Sequence, residues 1–287
     1  METAIIPKTY VDIWVTEDLR DLGLRTSKSC DHILVILSRI LQRHAIPMQA
    51  HFEFVLVLTY AVPCTNLQTL LPPGLTLDSW NNYGFVAIAM VQTRNMRPAF
   101  APSIFGKDFF LSGYRIFTRF KTRSGRSLRG LRILRSDTDS DLMVRWGNRL
   151  THYGYRKADI DLRRDNDMLD IKILTPSSEA DLHVRAHLSV EPDPLPQGSP
   201  FPDVQTARRF AGPLPFTFDY EPETNSIIRV QGVRQDWNPR STRAEVLKNS
   251  FIEKEPFASG NPILASAFHI ADVPYRWKRG IRETLGA

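Results

Sequence analysis

Two apolar runs that lie close together constrain the fold of this chain more than any other feature. HFEFVLVLTYAV (51–62) and GFVAIAMVQT (84–93) are continuous apolar segments rich in β-branched and aromatic residues, which is typical of strands buried on both faces. Between them, CTNLQTLL predicts a short helix that Pro72 and Pro73 end. The local plan is therefore strand, helix, strand, with both strands covered on each side.

Strand patterns also dominate the rest of the chain. YRIFTRFKT and SLRGLRILR flank Ser124 and Gly125, which predicts a hairpin. Further strands are predicted at 153–163, 168–174 and 182–190, spaced like a meander, and in FTFDY, IIRVQGVRQDW and FHIADVPYRW. The fold class that we predict is α+β but mainly β: one large, mostly antiparallel domain that closes or folds over itself, with a few covering helices.

The first fifty residues differ from this β pattern. Apolar residues at helical spacing predict an amphipathic helix over Asp31–Arg43, and residues 1–28 before it are predicted to be an irregular arm. We therefore divide the chain into residues 1–50, the arm and helix, and residues 51–287, the β domain.

Three other segments interrupt the strands. Residues 95–112 have few periodic signals and predict a long loop of the kind that often borders a site. DTDSDLMVRWGNRL predicts a helix, with Thr138 and Asp141 as its capping box. DVQTARRFAG predicts a short helix after a proline-rich surface loop at 191–202.

The basic residues of this chain are mostly arginines. Of 37 lysines and arginines only 9 are lysines, against 31 acidic residues, and the formal net charge is +6. Arginine stays protonated and cannot form a Schiff base, whereas lysine can lose its proton on burial and act as a nucleophile. An enzyme that works through a lysine imine therefore has few candidate residues here.

The sequence lacks the motifs of several functional classes. It has no GxSxG nucleophile, no phosphate-binding glycine loop and no dinucleotide fingerprint, so we expect no cofactor. His183 and His187 are four residues apart on a predicted strand, which separates them by about 13 Å, too far to share a metal ion. Cys30 and Cys64 form no CxxC pair, and the N-terminal apolar run is far shorter than the roughly 20 residues of a membrane span. We expect a cytoplasmic protein that binds neither metal nor membrane.

The predicted hairpin is strongly basic. Eight basic residues and no acid lie between Gly113 and Arg135, interleaved with aromatic residues that include Tyr114. They could bind single-stranded nucleic acid, pair with the acids that follow the hairpin, or line a pocket for a carboxylate, with Arg115 and Tyr114 as ligand contacts. We do not expect a nucleic-acid partner, because basic charge is not segregated over the whole chain.

Two further arginines mark the end of a predicted buried strand. Arg94 and Arg97 lie in QTRNMRP, at the edge of the predicted long loop. A ligand-anchoring arginine would lie at such a position, and so would an ordinary solvated strand end.

Three segments resemble a known family. VPCTNLQTLLPPGLTLDSWNNYGFVAIAMVQTRNMRP, NRLTHYGYRKADI and VPYRWKRG are similar to the uncharacterised, domain-of-unknown-function branch of the acetoacetate decarboxylase-like superfamily, over residues 53–279. The resemblance implies a double-layered antiparallel β-barrel or cone with a ligand pocket inside it.

The resemblance also implies where a catalytic lysine would lie. In the decarboxylases a pattern like GRELSAYPKK carries the imine lysine and its cationic neighbour. Here the matching stretch is GNRLTHYGYRK, so Tyr155 and Arg156 take the two lysine positions. Lys157 lies two residues further along the same predicted strand face and could be a displaced imine lysine or an ordinary surface lysine. We therefore do not expect acetoacetate decarboxylation by the family's route.

Two neighbours of that stretch complete the candidate site. Tyr155 could donate a hydrogen bond to a ligand or bury its ring in the core, and His152 could act as an acid or base or be a hydrogen-bonded structural histidine. We predict that the protein binds or transforms a small oxo or carboxylate metabolite in an internal pocket. The sequence is also compatible with a homo-oligomer. The alternative is a non-catalytic interaction module that uses the N-terminal helix and the basic hairpin for protein or nucleic-acid contacts.

Overall fold

A computed structural model describes residues 38–188, 194–211, 214–235 and 237–286. The chain divides into two compact units, Met1–Ile40 and Leu41–Ala287. Residues 38–42 are helical, as predicted, whereas the rest of the predicted Asp31–Arg43 helix before residue 38 and the predicted arm lie outside the described residues.

The described residues of the second unit form fifteen strands and three short α-helices, together with 3₁₀ helices at Ser103–Phe105, Pro222–Thr224 and Ala258–Gly260. The strands are β1 Met48–Pro63, β2 Leu75–Leu77, β3 Tyr83–Pro98, β4 Lys107–Lys121, β5 Ser127–Thr138, β6 Tyr155–Lys157, β7 Asp159–Asp165, β8 Met168–Leu174, β9 Leu182–His187, β10 Phe216–Glu221, β11 Ser226–Arg234, β12 Arg240–Ser241, β13 Arg243–Asn249, β14 Ile263–Trp277 and β15 Ile281–Thr284. The helices are α1 Cys64–Gln68, α2 Asn148–Leu150, which continues a π-helical turn at Met143–Gly147, and α3 Val204–Ala211.

The strands form two sheets. The larger runs β12-β14-β1-β3-β4-β5-β10-β11-β15, and an additional antiparallel pairing of β11 with β14 joins seven of its strands into a closed ring. The smaller has the order β13-β9-β8-β7. Most pairs are antiparallel, and β5 is also paired in parallel with β6 and β10. The predicted mainly-β class with a few helices is confirmed.

The ring strands are buried on both faces because each face meets a different partner. On one face, Leu56 and Ile88 belong to a core cluster that includes Ile171 of the smaller sheet. On the other face, Phe85 packs against Phe210 of α3, with ring centroids 5.0 Å apart. Alternating side chains of one strand therefore pack into two different hydrophobic cores, which explains why the apolar runs have no polar face.

The prediction of a long loop at 95–112 is wrong. β3 continues to Pro98 and β4 begins at Lys107, so only residues 99–106 connect them. The ladder passes an irregularity after Thr93 and resumes where Met96 pairs with Lys107. Asn95 has a φ of 54° and absorbs this irregularity, since asparagine tolerates the left-handed region. Pairing between long neighbouring strands overrides the local loop signals.

The predicted capping box is also wrong. Thr138 belongs to β5, and its hydroxyl donates to the carbonyl of Phe110. The hydroxyl of Ser140 instead accepts from the backbone N–H of Met143, so a serine two residues later performs the capping.

Candidate functional site

The candidate site begins with Arg115, on the sheet face that points away from the smaller sheet. Arg115 pairs across the ladder with Ala87 of β3 and Ile133 of β5. Its guanidinium lies over Gly113, where a Cβ would come within 2.8 Å of Nη2. The missing side chain at Gly113 therefore leaves room for the guanidinium.

Arg115 has no acidic partner among the described residues. Its Nε is buried and makes no hydrogen bond, and it forms no ion pair with a described side chain. Burial lowers the pKa of Arg115 from its ordinary value, while the nearby phenols of Tyr275, Tyr153 and Tyr155 act in the opposite direction. The guanidinium of Arg115 therefore lies among phenols, with no described carboxylate to offset its charge.

Tyr155 is held beside this arginine by the turn that precedes β6. Its backbone N–H donates to Oδ1 of Asn148 at 2.7 Å, and its carbonyl accepts from Nδ2 of the same residue at 2.9 Å. Its ring packs against Gly147, where a Cβ would be only 2.4 Å from the ring. Burial raises the pKa of Tyr155, so the phenol is a neutral donor. The ring of Tyr155 is thus packed in the core, as one of its two interpretations expects. The charge of Arg115 acts on the same phenol, so this packing is compatible with the other interpretation, a hydrogen-bond donor to a ligand.

Tyr153 connects this cluster to a second polar region. Its hydroxyl lies 2.8 Å from Oγ1 of Thr217 on β10, and burial raises its pKa to about 12. Tyr153 also lines a small cavity of about 10 Å³, which has room for about one water molecule. The cavity is lined by Gln42, His44, Thr151, His152, Tyr153, Thr217, Asp219, Ile228 and Val230.

The cavity contains buried polar atoms without protein partners. These atoms are Nδ1 of His44, Nε2 of His152 and Oδ2 of Asp219. Burial lowers the pKa of His44 to about 4 and also lowers that of His152, so both imidazoles are neutral at pH 7. His152 therefore lies next to the tyrosine cluster, in a space that fits a water molecule but not a metabolite.

Arg234 is a second arginine without a described carboxylate partner. The sequence patterns did not identify it as a candidate. Arg234 stacks on Trp237, with Cζ 4.2 Å from the ring centroid, and lies 5.8 Å from the ring centroid of Tyr275. Its Nη2 is buried without a partner. Burial lowers the pKa of Arg234, Tyr275 opposes this, and the charge of Arg115 lowers it further. The signal that could have identified it is the alternation of β11, which puts Gly232 and Arg234 on one face.

The other predicted site residues lie elsewhere. Nζ of Lys157 donates to the carbonyl of Asp139 at 2.7 Å and pairs with Asp141 at 3.1 Å, and its side chain is 43% exposed. All seven lysines in the described ranges, Lys107, Lys121, Lys157, Lys172, Lys248, Lys254 and Lys278, are exposed. The hydroxyl of Tyr114 donates to the carbonyl of Ala180, between the two sheets and on the face opposite to Arg115.

The strand-end arginines are occupied by local partners. Arg94 pairs with Glu53 at 2.6 Å and with Asp108 at 3.2 Å. Arg97 donates to the carbonyls of Asn95 and Ala101, across the turn that follows β3. The structure therefore brings together Arg115 and Tyr155, with His152 nearby, and uses Arg94 and Arg97 to hold the end of the strand pair.

Several arginines of the basic hairpin are paired with carboxylates from other segments. Arg119 and Arg129 both pair with Asp78, at 2.7 and 2.6 Å. Arg132 pairs with Asp219, while Arg135 pairs with Asp137 and Glu179. Ion pairing thus accounts for much of this basic cluster.

Comparisons with known proteins place the chain in a family. Residues 49–272 match the model of the DUF2071 family, described as an uncharacterized conserved protein. No functionally curated protein is significantly similar in sequence. Within the described ranges, no helix is long and apolar enough to cross a lipid bilayer.

Solved structures show the fold. Acetoacetate decarboxylase from Legionella pneumophila is 14% identical, with a TM-score of 0.56 over 84% of this chain and 88% of that one. An acetoacetate decarboxylase-like enzyme from Sphingomonas wittichii RW1 is 14% identical, with a TM-score of 0.54 over 85% of this chain and 96% of that one. The enduracididine biosynthesis enzyme MppR, complexed with pyruvate, is 14% identical, with a TM-score of 0.53 over 82% and 90%. The chain therefore has an acetoacetate decarboxylase-like fold and belongs to the DUF2071 family.

Proposed function

We propose that this protein binds a small carboxylate or 2-oxo acid inside the ring, with Arg115 as the anion contact and the phenols of Tyr155 and Tyr153 as neutral hydrogen-bond donors. The observation that carries the proposal is the buried Nε of Arg115, which has no partner among the described residues. Burying a charge without a counterion costs several kcal/mol, and a carboxylate ligand would remove much of that cost.

The surroundings of Arg115 suit a planar anion. A guanidinium offers a rigid fork of N–H donors that matches both oxygens of a carboxylate. Phenols with raised pKa values keep their protons and can donate to a keto oxygen. The solved structure of MppR contains pyruvate, a 2-oxo acid, which belongs to the ligand class that we propose.

The proposed chemistry does not use a lysine imine. Tyr155 and Arg156 stand where the resemblance aligns the two lysines, and Lys157 is paired with Asp141 at the surface. If the protein transforms its ligand, polarisation of the keto oxygen by the Arg115 cluster is the step that these residues can supply. His152 lines the water-sized cavity together with Tyr153 and Thr217, so a water molecule held there would be the group with which it exchanges a proton.

Calorimetric titration of the full chain with pyruvate, 2-oxobutanoate and acetoacetate tests the proposal. We expect wild-type binding, and a loss of about 10- to 100-fold in affinity for Arg115→Gln, since a charged hydrogen bond contributes roughly 1.5–3 kcal/mol. Arg126→Gln, at the exposed hairpin turn, is the matched control and should bind like the wild type.

Two outcomes would overturn the proposal. One is the absence of heat with every acid in the panel. The other is a covalent adduct: borohydride treatment in the presence of each acid, read by intact mass, should leave the mass unchanged. An adduct that maps to Lys157 would instead establish imine chemistry.

A further inference from the structure

The structure contains two buried guanidinium edges that are not balanced by acids, and the proposed function uses only one of them. In the basic hairpin, most of the partly buried arginines have a carboxylate partner. Arg119 and Arg129 share Asp78, and Arg132 pairs with Asp219. Arg115 and Arg234 form no ion pair with a described side chain, and each has a buried nitrogen without a hydrogen bond. Among the described arginines with a buried nitrogen that makes no hydrogen bond, Arg132 still has a carboxylate partner, whereas Arg115 and Arg234 have none.

Arg234 is held in place as a rigid donor. Its guanidinium stacks on Trp237 with Cζ 4.2 Å from the ring centroid, and it also lies over Tyr275 at 5.8 Å. Stacking fixes the plane of a guanidinium while leaving its N–H groups free to donate in that plane. Tyr275 is itself tied to β11, because Gly232 has no side chain where the Tyr275 hydroxyl lies. Such support is unnecessary for a solvated arginine and is expected of a recognition residue.

The two guanidinium groups lie in the neighbourhood of Tyr275. Arg234 is 5.8 Å from the ring centroid of Tyr275. The guanidinium of Arg115 lies over Gly113, whose ladder partner Ala89 belongs to the apolar cluster against which Tyr275 packs. Burial and the charge of Arg115 both disfavour the charged form of Arg234. A ligand with one carboxylate would offset one of the two charges. A ligand with two acidic groups would offset both and would pair the orphaned nitrogen of each arginine.

We infer that Arg234 is a second anion contact and that the preferred ligand is a small dicarboxylate, one carboxylate on Arg115 and the other on Arg234. The inference rests on the proposed function, because it assumes that Arg115 receives the first carboxylate. The described site has no helix N-terminus or glycine-rich turn at the arginines, which are the features that cradle phosphate groups, so dicarboxylates are favoured over phosphate.

Matched ligand pairs test the inference directly. Calorimetry would compare succinate with butyrate, and oxaloacetate with 2-oxobutanoate, so that each pair has the same chain length and differs by one carboxylate. We expect the wild type to bind each dicarboxylate at least about 10-fold more tightly than its monocarboxylate partner, because the second pair is a charged hydrogen bond. Inorganic phosphate should bind more weakly than either dicarboxylate.

Variants at Arg234 test whether this residue causes the preference for dicarboxylates. Arg234→Gln should reduce the preference to about threefold or less, because the second carboxylate loses its partner. Arg234→Lys keeps the charge but not the planar fork, and should retain an intermediate preference. Arg276→Gln is the control, since Arg276 is exposed on the β14 edge that pairs with β11 and should leave the preference intact.

The outcomes separate this inference from the proposed function. Equal wild-type affinity for the two members of each pair, or tighter binding of phosphate, would overturn the dicarboxylate inference and leave Arg115 as a monocarboxylate contact. A preserved preference in Arg234→Gln would overturn the role of Arg234. Absence of binding by all four acids would overturn the proposed function itself.

Discussion

Asp78 is the shared counterion of two arginines in the basic hairpin. Its carboxylate is fully buried and accepts from Nε of Arg119 at 2.7 Å and from Nε of Arg129 at 2.6 Å. One alternative for the hairpin arginines was pairing with the acids that follow the hairpin, and Asp137 does pair with Arg135. Asp78 instead lies 41 residues before Arg119 and 51 residues before Arg129. Only the pairing of β2 with β4, a non-local event, brings it into contact.

Asp78→Asn should therefore destabilise the fold substantially. The substitution keeps the shape but removes the counterion of two arginines, and breaking a buried pair costs roughly 3 kcal/mol. Asp161→Asn is the matched control, because Asp161 is 52% exposed and pairs with Arg163 at the surface, where an ion pair is worth about 0.5 kcal/mol. Urea unfolding followed by tryptophan fluorescence would measure both. Equal midpoint shifts would show that burial of Asp78 does not matter.

In the smaller sheet, the carboxylate of Asp181 links a turn to a neighbouring strand. Asp181, just before β9, accepts from the backbone N–H and the hydroxyl of Thr175 and from Nζ of Lys248 on β13. Burial opposes ionisation of Asp181, but these donors outweigh it and lower its pKa to about 2. The carboxylate thus joins the β8–β9 turn to the neighbouring strand.

Stability should depend on pH through this residue. Because the folded pKa is below the unfolded value near 3.8, the contribution is complete above about pH 4 and is lost as the pH falls toward 2. Asp181→Asn should be less stable than the wild type at pH 6, and the difference should shrink at pH 2.5. Chemical unfolding at the two pH values measures it. A difference that stays constant between them would contradict the low pKa.

Sequence patterns predicted most elements but not how they extend. The runs at 51–62 and 84–93, the hairpin about Gly125 and the meander were predicted, because periodicity and turn residues are local signals. The ends of β3 and β4 and the strand β13 were missed, since non-local pairing decides whether a polar segment joins a sheet. For the candidate site, Arg115 and Tyr155 were predicted, whereas Arg234 was not, because its role depends on the closure of the ring.

At the scale of the whole molecule, three residue pairs between β11 and β14 close the ring. Gly232 pairs with Trp277, and Arg234 pairs with Tyr275. A Cβ at Gly232 would lie 1.9 Å from the Tyr275 hydroxyl, so the closure requires glycine at that position. The same contact supports the site, since Tyr275 is a neighbour of both arginines.

Gly232→Ala should loosen this closure and the site together. We expect faster amide hydrogen exchange in β11 and the end of β14, unchanged exchange in the smaller sheet, and weaker carboxylate binding, because the phenol of Tyr275 must move. Gly286→Ala, where a Cβ meets no atom within 4 Å, is the control. Unaltered exchange in Gly232→Ala would show that the closure tolerates a side chain there.

Lysine and arginine occupy different environments in the described part of the fold. Every lysine in the described ranges is exposed, while guanidinium groups supply the positive charge beside the three phenols. An ammonium can be switched off by desolvation or by a rise in pH, but a guanidinium keeps its proton across the physiological range. The positive charge of this cluster is therefore constant, so that under the proposed function a change of pH would alter the charge of the ligand before that of Arg115 or Arg234.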